Sequence, residues 1–142
     1  MNKDGFLKAG TLLFFLLCIS ACDDTPAATP SSCGANTAVI AVRDGFTEIF
    51  CGCQEAAGTI AASGTALTCT ITHGSYVLFD FTSTKLTHQI VSTGTPSFAD
   101  SALHDPNKDD NSSSHVVQFT QTGTFSFQDR FIPGMTGQII SQ

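Results

Sequence analysis

A period of two runs through the apolar residues of this chain's second half. Val77, Phe79 and Phe81 fall at alternate positions, as do Val117 with Phe119 and Phe125 with Phe127. Successive side chains of a strand point to opposite faces, so each set lines one face and enters a core, leaving Asp80 and Thr82 to face out. The two later runs flank Gln121-Thr122-Gly123 and read as a hairpin. No window keeps helical spacing for more than about a turn, and Gly, Ser and Thr punctuate the rest. Further strands are expected at 38–42, 47–51, 58–62, 67–72, 86–91 and 137–141. Seven to nine short strands with glycine-rich turns make an all-β sandwich or barrel. Between 95 and 114 the alternation gives way to a long polar connection, and loops of that length are commonly functional or disordered.

The N-terminus reads as an export signal. Lys3 and Lys8 precede an apolar run from position 12 to 19, followed by Ser20, Ala21 and Cys22. Eight apolar residues would span roughly 12 Å as a helix, against a bilayer core of about 30 Å, so a permanent membrane span is not expected. Ile19-Ser20-Ala21-Cys22 resembles the lipobox of bacterial lipoproteins. The resemblance implies that residues 1–21 are a signal peptide, that Cys22 carries the lipid and that the protein sits in the bacterial cell envelope, anchored to a membrane and facing the periplasm or exterior. Each buried lipid methylene contributes about 0.8 kcal/mol to such an anchor. Residues 22–32 are polar, broken by proline and without periodicity; they read as a flexible tether to one domain at 33–142.

From Cys22 onward the chain carries four basic and eleven acidic side chains, a formal charge of −7. Nucleic acid needs clustered Lys and Arg and is excluded as the main partner. The expected partners are the membrane, through the anchor, and a protein of the envelope. Beyond Cys22 the cysteines number four: Cys33, Cys51, Cys53 and Cys69. An exported chain with an even number implies two disulfides. Cys51 and Cys53 are two apart and too close to bridge each other without strain, so each pairs with Cys33 or Cys69. A thiolate site for Cu(I) or Zn at Cys51-Gly52-Cys53 is the alternative.

Two segments carry a further resemblance. The stretch 74–81 followed by Thr87-His88-Gln89-Ile90-Val91, and the stretch 123–129 followed by Pro133-Gly134-Met135, resemble the cupredoxins, small Greek-key β-sandwiches that include the blue copper proteins. The likeness covers about half of the chain beyond Cys22. It implies a cupredoxin-like Greek-key β-sandwich, with His88 matching the first copper ligand and Met135 the axial one. Asp129 stands where the ligand cysteine belongs, and no second histidine lies between it and Met135. Without the thiolate, blue electron transfer is not expected; His88, Asp129 and Met135, completed by His104 or His115, could at best form a harder Cu(II) or Zn(II) site.

Two functions follow as expectations: a non-catalytic binding or scaffold module whose copper site has decayed and which needs no cofactor, or a copper-handling protein using His88 and Met135 with Asp129 or a loop histidine. The loops at the His88 and Asp129 end are the expected contact surface. Asp105, Asn107, Asp109 and Asn111 alternate as oxygens do in a calcium loop, but Asp110 and Val116 occupy the positions of its glycine and bidentate glutamate, so a solvated acidic loop is expected. No Gly-x-Ser-x-Gly elbow occurs, and no enzyme is expected. His73, His104 and His115 read as turn, loop or strand-edge residues on the surface.

Overall fold

The computed structural model describes residues 33–108 and 112–142. The signal segment, Cys22, the tether, and Asp109 and Asn111 of the acidic loop lie outside the described residues. Nine strands form: β1 (Thr37–Arg43), β2 (Phe46–Cys51), β3 (Ile60–Ala62), β4 (Ala66–Ile71), β5 (Tyr76–Asp80), β6 (Ile90–Ser92), β7 (Ser114–Gln118), β8 (Gly123–Asp129) and β9 (Thr136–Ser141). They make two sheets, ordered β3-β2-β1-β5-β7 and β4-β9-β8-β6, and no helix occurs among the described residues. Two neighbours run parallel, β1 with β5 and β4 with β9; the other pairs are antiparallel.

The alternating phenylalanines do what their spacing predicts. Phe79, Phe81, Phe119, Phe125 and Phe127 are all buried, with Ile40, Ile49, Leu67, Ile90 and Ile139 around them. Phe79 of one sheet meets Phe127 of the other edge to face, ring centroids 5.3 Å apart, and Phe119 meets Phe125 likewise at 4.8 Å. Each such pair contributes about 0.5–1.5 kcal/mol beyond its buried area.

Four expectations need correction. The runs around Gln121-Thr122-Gly123 are not a hairpin: β7 pairs with β5, and β8 with β6 and β9, so the chain changes sheets between them. Alternation shows that a strand has an inner face without saying which sheet owns it, and the two runs meet across the core instead of side by side. Asp80 is buried rather than facing out, 3.6 Å from the Arg43 guanidinium and accepting from the Thr82 N–H and hydroxyl. The expected strand at 86–91 is regular only over Ile90–Ser92. The 95–114 connection, finally, is structured where described: Ser101 and His104 are buried, and His104 forms an antiparallel bridge with His88.

The cysteines pair as Cys33–Cys51 and Cys53–Cys69, with Cα atoms 6.1 and 5.1 Å apart. The first bond fixes the entry to β1 against the end of β2, and the second ties the segment after β2 to β4 in the other sheet. Gly52 between them has φ 81°, and a Cβ there would run into the Thr37 carbonyl, so the bridges meet at a position only glycine fills. Bridge Cys53–Cys69 closes a 16-residue separation, for which loop-closure entropy gives about 3 kcal/mol. The double substitution Cys53→Ala, Cys69→Ala should therefore lower unfolding stability by about 2–4 kcal/mol in urea titrations under oxidising conditions.

Candidate functional site

At the end of the sandwich where β1, β5 and β8 finish, an imidazole sits between two carboxylates. His88 is fully buried. Its Nδ1 lies 2.7 Å from Asp129 Oδ2, and its Nε2 lies 3.2 Å from Asp44 Oδ1. Asp129 ends β8 and is also fully buried; its other oxygen accepts from the backbone N–H groups of Phe131 and Ile132 at 2.8 and 3.0 Å. Asp44 occupies the turn between β1 and β2. Its carboxylate accepts from the N–H groups of Lys85 and Leu86, both at 3.0 Å from Oδ1. One ring thus joins the β1–β2 turn, the segment after β5 and the loop after β8.

The sequence placed His88 and Asp129 in one site, and the structure brings them into direct contact. Met135 is buried immediately before β9, and its carbonyl accepts from the Asp129 N–H at 2.8 Å. His104 is not the surface residue expected: it is buried with its ring stacked on Phe81 at 5.2 Å, because its backbone pairs with that of His88 and draws it inward. Its Nδ1 meets the Ser112 carbonyl, while its Nε2 has no hydrogen-bond partner. His115 lies on β7 with its Nε2 on the Ala99 carbonyl. Neither loop histidine joins a three-donor cluster with His88 and Asp129. Among the described residues the one group of three His, Cys, Asp or Glu donors within 4.8 Å of one another is Cys53, Glu55 and Cys69. There the two sulfurs are bonded to each other, and both Glu55 oxygens are held by Thr70.

Asp44 was not legible as a site residue. Asp44-Gly45 signals a tight turn between strands, and nothing in that signal links it to a histidine 44 positions later.

Burial of His88 opposes its charged form. Hydrogen bonds and charge from Asp129 and Asp44 outweigh that cost and raise its pKa above the ordinary value of 6.5. For Asp44, burial likewise favours the neutral acid, but the N–H groups of Lys85 and Leu86 together with His88 hold its carboxyl below the usual 3.8. When protonated, the ring can donate from both nitrogens, one to each carboxylate. Removing one partner of a buried, hydrogen-bonded charge pair typically costs about 3–5 kcal/mol, because the other is left without compensation.

A blue copper centre requires a thiolate, two imidazoles and an axial donor such as methionine. Of these His88 and Met135 are at hand, Asp129 bonds His88 where the resemblance implies a thiolate, and all four described cysteines are in disulfides. The donor set does not fit that centre.

No family model matches the chain, and no curated relative matches it. Among solved structures, a purple cupredoxin from Nitrosopumilus maritimus is similar over 74% of this chain and 99% of its own, with TM-score 0.50 and 16% identity. A methionine-to-alanine mutant of amicyanin in its Cu(I) form covers 81% of this chain and 90% of its own, with TM-score 0.49 and 10% identity. At such identity the likeness concerns the fold. This protein is an all-β, cupredoxin-like sandwich.

The relay predicts a pH signature. A histidine whose pKa is raised on folding contributes stability that is full below its unfolded value, near 6.5, and fades as pH climbs through the folded value. The depressed Asp44 contributes above its unfolded value and fades as pH falls through the folded one. His88→Gln should therefore destabilise the protein most between about pH 4.5 and 6, and progressively less on the alkaline side. Urea midpoints across that range measure the difference, and a constant gap between the two proteins would exclude a charged His88.

Proposed function

We propose that this protein is a lipid-anchored, non-catalytic binding module of the bacterial cell envelope, in which a hydrogen-bonded Asp44–His88–Asp129 relay has replaced a copper site. The observation that carries this reading is the commitment of both His88 ring nitrogens to carboxylates, 2.7 and 3.2 Å away. A metal at Nδ1 would have to take a proton from a ring whose pKa is raised and displace Asp129. That carboxylate is already fixed by two backbone N–H groups. A carboxylate is also a harder ligand than the thiolate whose position it holds, so the exchange removes the preference for Cu(I).

Export is supported by the lipobox-like 19–22 and by two disulfides, which persist in oxidising compartments. Metabolic labelling with an alkynyl fatty acid should mark the wild-type protein in its host and leave Cys22→Ser unmarked. Label retained in Cys22→Ser would move the anchor elsewhere.

Copper titration tests the site. The soluble domain lacking the anchor should show no tight one-to-one binding of Cu(II) or Cu(I) by calorimetry, and no thiolate-to-copper absorption band. Tight stoichiometric binding that His88→Ala abolishes would replace this reading with the second one, a copper-handling protein using His88 and Met135 with Asp129. The buried Met135 thioether beside the Asp129 loop is the feature that favours that alternative.

A further inference from the structure

We infer that the open edge of β7 is an interface for a second copy of this chain, whose own β7 pairs with it antiparallel about Val116. A sheet edge presents unpaired N–H and C=O groups, and proteins blunt their edges with short strands, charges, bulges or a covering segment. Among the described residues three of the four sheet edges are blunted. β3 has only three residues. β4 is covered at Thr70, whose carbonyl accepts from the Gln54 N–H and whose N–H donates to Glu55. β6 is covered by Asp100 and Ser101: the Ile90 N–H donates to the Ser101 hydroxyl, the Ser101 N–H to the Ile90 carbonyl, and the Ser92 N–H to Asp100. β7, five residues long and last in its sheet, has no such device. Hydrogen bonds from the Phe119 N–H to the Ser75 carbonyl and from the Phe81 N–H to the Ser113 carbonyl set its alternation. Odd-numbered residues face β5, and Ser114, Val116 and Gln118 turn their backbone groups to the open side. Among the described residues the N–H and C=O of Val116 have no partner there. An open groove of about 350 Å³, bounded by Ser97, Phe98, Val116, Gln118 and Gln121, leaves room for another strand.

Charge and register select the occupant. From Asn111 to Gln128 the sequence has no Asp, Glu, Lys or Arg, although the chain beyond Cys22 has a formal charge of −7. Copies that repel each other elsewhere can meet at this strand without setting like charges face to face. A twofold contact also requires a surface complementary to itself. An axis at Val116 makes that residue and its equivalent a hydrogen-bonded pair and sets Ser114 against Gln118 twice. All three outward residues of each strand are then paired, and every facing pair is uncharged. The Ser114 carbonyl accepts from the Ser112 hydroxyl, an exposed contact that a backbone N–H can replace. On the outer face Val116, 53% exposed, lies across from the half-buried Leu78, and Gln118 across from Tyr76, so pairing joins two apolar stripes into one. Antiparallel pairing inverts one copy relative to the other. Residues 22–32 reach up to about 36 Å, and a strand of seven residues such as β1 is about 23 Å long. Both anchors can therefore sit in one membrane.

The test introduces one cysteine at a time into the full-length chain in its host and adds a short bismaleimide, which joins only thiols that lie close together. Wild type controls for the chain's own cysteines. Val116→Cys should yield a linked dimer of doubled mass, with the two 116 peptides joined to each other by mass spectrometry. Leu86→Cys, exposed at the relay end, should yield little, because antiparallel pairing carries the two 86 positions to opposite ends of the dimer. In cells making Ser114→Cys and Gln118→Cys copies together, mixed dimers should outnumber dimers of either kind alone. Gln118→Pro removes an N–H that faces the open side and leaves the bonds to β5 intact. Added to Val116→Cys, it should cut linkage at least about tenfold, two hydrogen bonds being lost per dimer. The inference is overturned by no dimer at 116, by equal linkage at 86, or by linkage of 116 to a different protein. An excess of like dimers at 114, or linkage indifferent to Gln118→Pro, overturns it as well. The copper titration concerns the other end of the sandwich, and neither result bears on the other.

Discussion

His88 is wholly shielded from bulk solvent. It reaches acids from two different parts of the chain, and each acid spends its remaining hydrogen-bonding capacity on backbone N–H groups: Asp44 on Lys85 and Leu86 in the segment that carries His88, Asp129 on Phe131 and Ile132 in its own loop. Four backbone positions in two loops are thereby tied to one ring. A buried ion pair is weak evidence for stability when compared with apolar residues of the same volume, but it is directional, and loop placement is where direction matters. Two apolar sheets of this size would pack without any relay. The β1–β2 turn would then lose its tie to the segment after β5, while the loop after β8 would keep backbone links such as the Arg130 N–H to the Gln89 carbonyl.

The opposite end of the sandwich is fixed by different chemistry. Bridge Cys33–Cys51 joins the chain's entry to the last residue of β2, and Cys53–Cys69 crosses from there to β4 in the facing sheet. Covalent links act on the unfolded chain by restricting it, and they neither orient nor titrate. The relay does the reverse: it leaves the unfolded chain free and acts only once folding brings the ring between Asp129 and Asp44.

The parts legible in the sequence were those decided by periodicity and by covalent geometry. Alternation placed Phe79, Phe81, Phe119, Phe125 and Phe127 in the core, and the single residue between Cys51 and Cys53 forced them into separate bridges. What periodicity cannot carry is the identity of a neighbour. The runs either side of Gly123 were equally inward-facing whether they paired with each other or with strands of different sheets, and they do the latter. Asp80 obeys its pleat yet is buried, because Arg43 on the adjacent strand covers it. Asp44 and His104 entered the site for the same kind of reason. A turn acid and a loop histidine acquire roles only when tertiary structure sets another residue beside them, and their local sequence describes a turn and a polar connection.

Replacing a thiolate by an acid changes what a site can hold. A thiolate next to an imidazole leaves a lone pair on each, and a soft metal is the natural third member. A carboxylate next to an imidazole can satisfy the ring by accepting its proton's hydrogen bond, so the space closes on a proton instead. Here the second acid, Asp44, faces the other nitrogen too, so both ring nitrogens are engaged by carboxylates. The loops at this pole are gathered by hydrogen bonds to the ring and its two acids, and side chains of those loops that take no part in them face outward. Phe131 and Arg130, within the stretch from Asp129 to Met135, illustrate the consequence: both point their functional groups to solvent while their backbones remain tied to the site. A frame of that kind keeps its loops rigid while allowing their outer faces to vary, which is the physical requirement for recognising a partner.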